Sequence, residues 1–120
     1  MAATSIWIKL RDFGICKRLT ETTKPRALLG TIRYFAPDVT RDIFANMGSG
    51  GHASTPYTTA VDICSVGIMT HELLTKFHPF TNNLEVVKYA EGRIQFPKHS
   101  LEKRWVSVEA ILFISCCLRA

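Results

Sequence analysis

The sequence predicts an α+β chain that is mostly α, one short strand followed by helices. Three observations predict it. Residues 6–10, Ile-Trp-Ile-Lys-Leu, form a short, apolar, β-branched run bounded by charge. Residues 59–75 carry apolar side chains nearly all round a helical wheel. Two later helix starts are marked by capping residues, Asn82 or Asn83 and then Ser107.

Taken in order, residues 6–10 read as the strand. Residues 15–33 are polar and basic, with Thr20, Thr22, Thr23 and Pro25, and read as a loop. A helix is excluded before Pro37 and is expected over about 39–47. Gly48-Ser49-Gly50-Gly51 imposes a flexible turn in a loop that runs to about Pro56. Thr59 and Asp62 have the spacing of a capping box, with the acid where the helix dipole favours negative charge. The central helix then spans about 59–75, and Pro79 ensures its stop. Ile63, Val66, Gly67, Ile68, Met69, Leu73 and Leu74 cover most of its circumference, so it is expected inside a core. A following helix is expected over about 83–92, with Leu84, Val87 and Ala90 on one face and Gly92 at its end. Pro97 breaks residues 93–106. A last helix is expected over about 107–120, with Glu109 in its first turn.

The chain has 120 residues, the size of one small domain. Its net charge is +5, but the basic residues are scattered, with short clusters only at Lys24/Arg26 and Lys103/Arg104. Nucleic-acid binding needs a clustered basic face, so it is not expected. Cys16, Cys64, Cys116 and Cys117 contain no Cys-x-x-Cys pair, and His52, His71, His78 and His99 show no ligand spacing. They read as the reduced thiols and ordinary histidines of an intracellular protein, cytoplasmic or nuclear. The longest apolar run, residues 110–118, is too short to cross a bilayer, so no membrane partner is expected. The N-terminus lacks the basic lead and cleavage signature of a secretory leader.

Three ordered blocks carry the chemistry. The first is Asp12-Phe13-Gly14, and the second runs from Gly30-Thr31 through Ala36-Pro37-Asp38. The third is Val61-Asp62-Ile63-Cys64-Ser65-Val66-Gly67, with His71-Glu72-Leu73-Leu74 and His78-Pro79-Phe80 after it. Together they resemble the C-terminal lobe of a eukaryotic-type Ser/Thr protein kinase, with the activation segment at 12–38 and the central helix after it. The stretch Val106-Ser107-Val108-Glu109-Ala110, with Phe113-Ile114-Ser115-Cys116, is similar to the calcium/calmodulin-dependent group. The similarity covers nearly the whole chain.

The resemblance implies roles. Asp12 stands at the family's Mg²⁺ position, where a hard carboxylate holds the metal that bridges the ATP phosphates. Phe13 would pack under the regulatory helix, and Gly14 would let the backbone turn. Thr31 stands where Ser/Thr-specific members bond the catalytic loop. Thr20, Thr22 and Thr23 lie where activating phosphorylation would fall, within reach of Arg26 or Lys24. Ala36, Pro37, Asp38, Asp62 and Gly67 have structural places, Asp62 as a buried aspartate. Residue by residue, capping explains Asp62 nearly as well, and Glu72 reads as solvated. A protein substrate or a kinase partner is implied, as are ATP and Mg²⁺ for the family.

Departures from the pattern set the expected activity. No Gly-rich phosphate loop, phosphate-binding lysine or His-Arg-Asp catalytic loop precedes Asp12 in these residues. One charge-assisted contact from Asp12 offers about 1.5–3 kcal/mol, against roughly 4 kcal/mol for even millimolar binding. The chain alone is therefore expected to hold no cofactor and to be inactive. Asp38 stands for the usual glutamate and Cys64 for the usual tryptophan, while Ile111 and Leu112 replace charged residues. The alternatives are a non-catalytic, pseudokinase-like protein-binding module using the surface around 82–96, or a decayed gene product.

Overall fold

Each helix starts where a local signal allows it. The computed structural model describes residues 7–11, 13, 32–46 and 59–119. A single 3-10 turn, Ile32–Tyr34, precedes α1, Pro37–Asn46. Proline suits a first helical position, because its φ is already helical and its missing N–H would be an orphan there. Asp38 lies in the first turn of α1 and pairs with Arg41 at 3.0 Å.

The central helix α2 is Ala60–Thr75. The expected capping box is not formed: Thr59 already has helical backbone angles, φ −59° and ψ −16°, and its side chain makes no capping bond. A capping hydroxyl needs the extended backbone that points it back at the first turn. Asp62 is exposed in that turn. The helix stops at Lys76, whose φ of 67° is left-handed and whose N–H returns to the Glu72 carbonyl at 2.8 Å. Termination thus precedes Pro79.

The next helix, α3, is Asn83–Ala90. The Asn82 side chain accepts the Glu85 N–H at 3.0 Å, and the Glu85 carboxylate accepts the Thr81 N–H at 2.7 Å. These reciprocal bonds satisfy orphan donors at the helix start. At the other end Gly92, at φ +70°, gives its N–H to Tyr89, and the Arg93 N–H reaches Lys88. That is the paired closure in which glycine is the natural residue. Val86 is the buried residue of α3, whereas Leu84, grouped with Val87 and Ala90 on one face from the sequence, is 59% exposed.

A short α4, His99–Glu102, leads to α5, Val108–Cys117. The Ser107 hydroxyl accepts the Ala110 N–H at 3.3 Å to cap α5.

Packing then follows from which faces meet. One face of α2 is buried: Cys64, Gly67, Ile68, His71 and Thr75. It lies against α5 and α4, and α1 lies against α3. Leu101, Ile114 and Leu118 join Cys64 and Ile68 in the core, with Tyr34, Ala36, Phe96 and Ile111 at its edge. The opposite stripe of α2, Ile63, Val66, Met69 and Leu73, is exposed. An apolar circumference therefore does not place α2 wholly inside a core among the described residues. Leu112 and Phe113 of α5 are exposed, whereas Ile111 packs inward.

Among the described residues there is no strand. Residues 7–10 of the expected strand are not in a ladder, and Trp7, Ile8 and Leu10 are 84–85% exposed. A strand needs a neighbouring strand to take its backbone hydrogen bonds, and none lies beside it among the described residues. The helices are otherwise the mostly α architecture expected.

Candidate functional site

The 3-10 turn presents two polar side chains and two backbone carbonyls to α2 and the turn that follows it. Three hydrogen bonds and one ion pair hold it there. Ser65 Oγ donates to the Tyr34 carbonyl at 2.8 Å. Tyr34 Oη donates to Glu72 Oε2 at 2.9 Å. Arg33 lies 3.8 Å from the other Glu72 oxygen. His78 Nε2 donates to the Arg33 carbonyl at 2.7 Å, from the turn beyond α2. The Arg33 pair is largely exposed and contributes little by itself. The bond to Glu72, reinforced by its negative charge, pushes the Tyr34 phenol above its ordinary range, because ionising it would place two anions together.

The sequence reading of Glu72 as a solvated residue is corrected by this geometry. Its carboxylate is half-buried and joins α2 to a turn 38 residues earlier. Truncating Tyr34→Phe should lower the unfolding free energy by about 1 kcal/mol. Glu72→Gln in the same background should add less than it does alone, because the two share one bond. Urea unfolding of the single and double variants measures both.

A second polar cluster closes the end of α2. The His71 ring is 1% exposed. Its Nδ1 lies 2.9 Å from the Phe77 carbonyl, an acceptor only, so the proton is on Nδ1. Thr75 Oγ1 lies between the carbonyls of His71 and Phe77, at 2.8 and 2.9 Å, and accepts the Phe77 N–H at 3.1 Å. The edge of His71 meets Phe96. His71 Nε2 is buried with no partner among the described residues. Desolvation lowers the His71 pKa below its ordinary value, more than the Phe77 carbonyl raises it.

The sequence-derived site residues divide as follows. Asp12, Gly14, Thr20, Thr22, Thr23 and Thr31 lie outside the described residues. Phe13 is 64% exposed rather than packed. Ala36 and Pro37 are brought to the core edge directly after the anchored turn, with Asp38 beside Arg41. Gly67 faces α5, and a Cβ there would stand 2.7 Å from Cys117 Cβ. Asp62 is exposed, not the buried aspartate the resemblance implied. Tyr34, Ser65 and His78 lie within the three sequence blocks but carry no individual role there, since no local spacing pairs residue 34 with 65, 72 or 78. Among the described residues no group of three or more His, Cys, Asp or Glu is arranged to hold a metal ion. The one carboxylate that the resemblance assigns to Mg²⁺, Asp12, falls outside them.

Comparison with known proteins follows the same lines. The family described as the protein kinase domain matches residues 1–120. A Dictyostelium discoideum protein named as a probable myosin light chain kinase is 32% identical over 117 residues, 96% of this chain and 35% of that protein. The human cAMP-dependent protein kinase catalytic subunit PRKX is 37% identical over 95 residues, 77% of this chain and 23% of its own. The Arabidopsis thaliana serine/threonine-protein kinase AtPK1/AtPK6 is 31% identical over 93 residues, 76% of this chain and 17% of its own. The chain thus spans about a third or less of the length of these relatives. Their names do not single out the calcium/calmodulin-dependent group. No solved structure matches.

Proposed function

The chain belongs to the protein kinase domain family, and from that premise we propose that it supplies the substrate-facing part of a Ser/Thr kinase C-terminal lobe. In this reading the activation segment is 12–38, α2 is the central helix, and α3 and α5 are the helices that follow it. The observation that carries the reading is the clamped turn. Ser65, Glu72 and His78 hold residues 33–34 immediately before Ala36-Pro37-Asp38. A segment that must present a protein hydroxyl to a phosphoryl group needs such fixed placement, because positioning is most of the catalysis. Asp12 would hold Mg²⁺ in a complete kinase, and Thr31 would bond the catalytic loop. ATP supplies the transferred phosphoryl group in that setting. The partners are protein, and the location is cytoplasmic or nuclear. Among the described residues no helix is long and apolar enough to cross a membrane.

These 120 residues alone are proposed not to transfer phosphate. Thermal unfolding with and without Mg·ATP tests this. A ligand at a hundredfold above its dissociation constant stabilises the fold by about 2.7 kcal/mol, a shift of several degrees for a domain of this size. The expected result is a transition unmoved by millimolar Mg·ATP. A rising transition would overturn the proposal of an inactive fragment.

A second reading is a pseudokinase-like binding module. It is favoured by the exposed stripe Ile63, Val66, Met69 and Leu73 on α2, an apolar surface of the kind that marks a protein contact. A cooperative, monodisperse chain that ignores ATP yet binds a kinase partner would favour it over the first.

A further inference from the structure

We propose that His71 is a proton-operated latch: while neutral it keeps the turn after α2 closed, and that turn, through His78, holds the 32–35 segment in place. The physical chain is continuous. His71 Nδ1–H and Thr75 Oγ1 converge on Phe77, fixing the backbone of residues 75–77. Residue 78 follows at once and gives its Nε2–H to the Arg33 carbonyl. Opening the first part of the turn moves the second.

Protonation acts on a ring already short of one partner. Nε2 is buried and faces no acceptor among the described residues. A neutral nitrogen there forgoes one hydrogen bond, while an N–H⁺ there would be a buried, unpaired charge, a far larger penalty. The groups acting on the ring divide in sign. His78 on the turn opposes a second positive charge, and Glu72 on α2 favours one. Arg33 and Tyr34 of the 3-10 turn reach Glu72. What α4 and α5 bring to the core beside α2 is apolar, Leu101, Ile114 and Leu118, with the buried Cys117 thiol held up in pKa and therefore neutral. The loop before α4 adds the Phe96 ring. A lowered folded pKa means that the unfolded chain takes up the proton first. The His71 contribution is thus complete above the ordinary histidine range and is lost as pH falls through it. His78 Nε2–H lies on the Arg33 carbonyl, and its Nδ1 faces both the N–H and the carbonyl of Phe80.

The test is amide exchange on the full chain at pH 7.5 and 5.5, corrected for intrinsic rates. Phe35, Lys76 and Phe77 are the reporters, since their N–H groups are bonded to Ile32, Glu72 and Thr75. Phe80 is left out because its acceptor is the His78 ring itself. The expected result is a joint fall in protection of about tenfold on acidification, the factor set by working about one pH unit below the ordinary histidine pKa. Its midpoint should coincide with the titration of the His71 ring protons in the same sample. His71→Phe, which fills the space and cannot titrate, should abolish the pH response. Three results would overturn the latch: protection unchanged with pH, loss at Lys76 and Phe77 with Phe35 unaffected, or a response that persists in His71→Phe. If that variant fails to fold, a mismatch between the ring titration and the exchange midpoint decides against it. Regulation of a kinase by this latch rests on the proposed function. The exchange result does not, so either can fail alone.

Discussion

Leu101→Ala is expected to lower the unfolding free energy by about 2–5 kcal/mol, with the upper half of that range the better expectation. The side chain is fully buried and touches no solvent. It hangs from α4, an element of four residues, His99–Glu102. So short a helix has no stability of its own and stays in place because Leu101 is seated among Cys64, Ile68, Ile114 and Leu118. Removing that anchor leaves a cavity and also frees the backbone that returns bonds to Leu101, from the N–H groups of Arg104 and Val106. A domain this small has roughly 5–15 kcal/mol in total, so one substitution removes a large fraction. The control is Leu84→Ala. Leu84 is the same residue type in a longer helix but 59% exposed, and its loss should stay within about 0.5 kcal/mol. Urea unfolding followed by circular dichroism reads both. Similar losses at the two sites would mean that α4 is not seated as described.

What could be read from sequence was whatever is decided within four residues. Asn82, Gly92 and Ser107 announce helix ends because capping bonds join near neighbours. What could not be read was decided by partners far along the chain. An apolar circumference cannot tell which stripe of α2 meets α5, and only the Gly67 stripe does. Val86 rather than Leu84 turns inward on α3 for the same reason. Thr59 has the right side chain for a cap and the wrong backbone angles for it. Residues 7–10 have strand propensity and no strand beside them among the described residues. The candidate site divides similarly. The run ending in Ala36-Pro37-Asp38 is visible as a motif. The clamp that holds it is not, because Glu72 looks like any acid on a helix until Tyr34 is brought against it.

Gly67→Val is expected to cost about 3 kcal/mol, the top of the usual range for overpacking, or to abolish cooperative unfolding altogether. The reason is the separation between α2 and α5. A Cβ built at position 67 stands 2.7 Å from Cys117 Cβ and 3.3 Å from Leu118 Cγ. The nearer atom is fixed to the backbone of α5, so no rotamer change relieves the contact and the helices must move apart. That would loosen Ile68, Ile114 and Leu118, which fill the same interface. Gly67→Ala divides the opposing effects more finely. Alanine gains about 1 kcal/mol of helix propensity over glycine, against an overpacking cost of about 1–3 kcal/mol. The net is a modest loss, and its origin can be traced by partner. Cys117→Gly removes the clashing Cβ, so Gly67→Ala should become neutral or stabilising in that background, with a coupling energy of about 1 kcal/mol or more. Cys117→Ala keeps the Cβ and should give almost no coupling. Equal coupling in the two backgrounds would place the strain on the thiol rather than on the helix separation, and the account of Gly67 as the residue that sets that separation would fall.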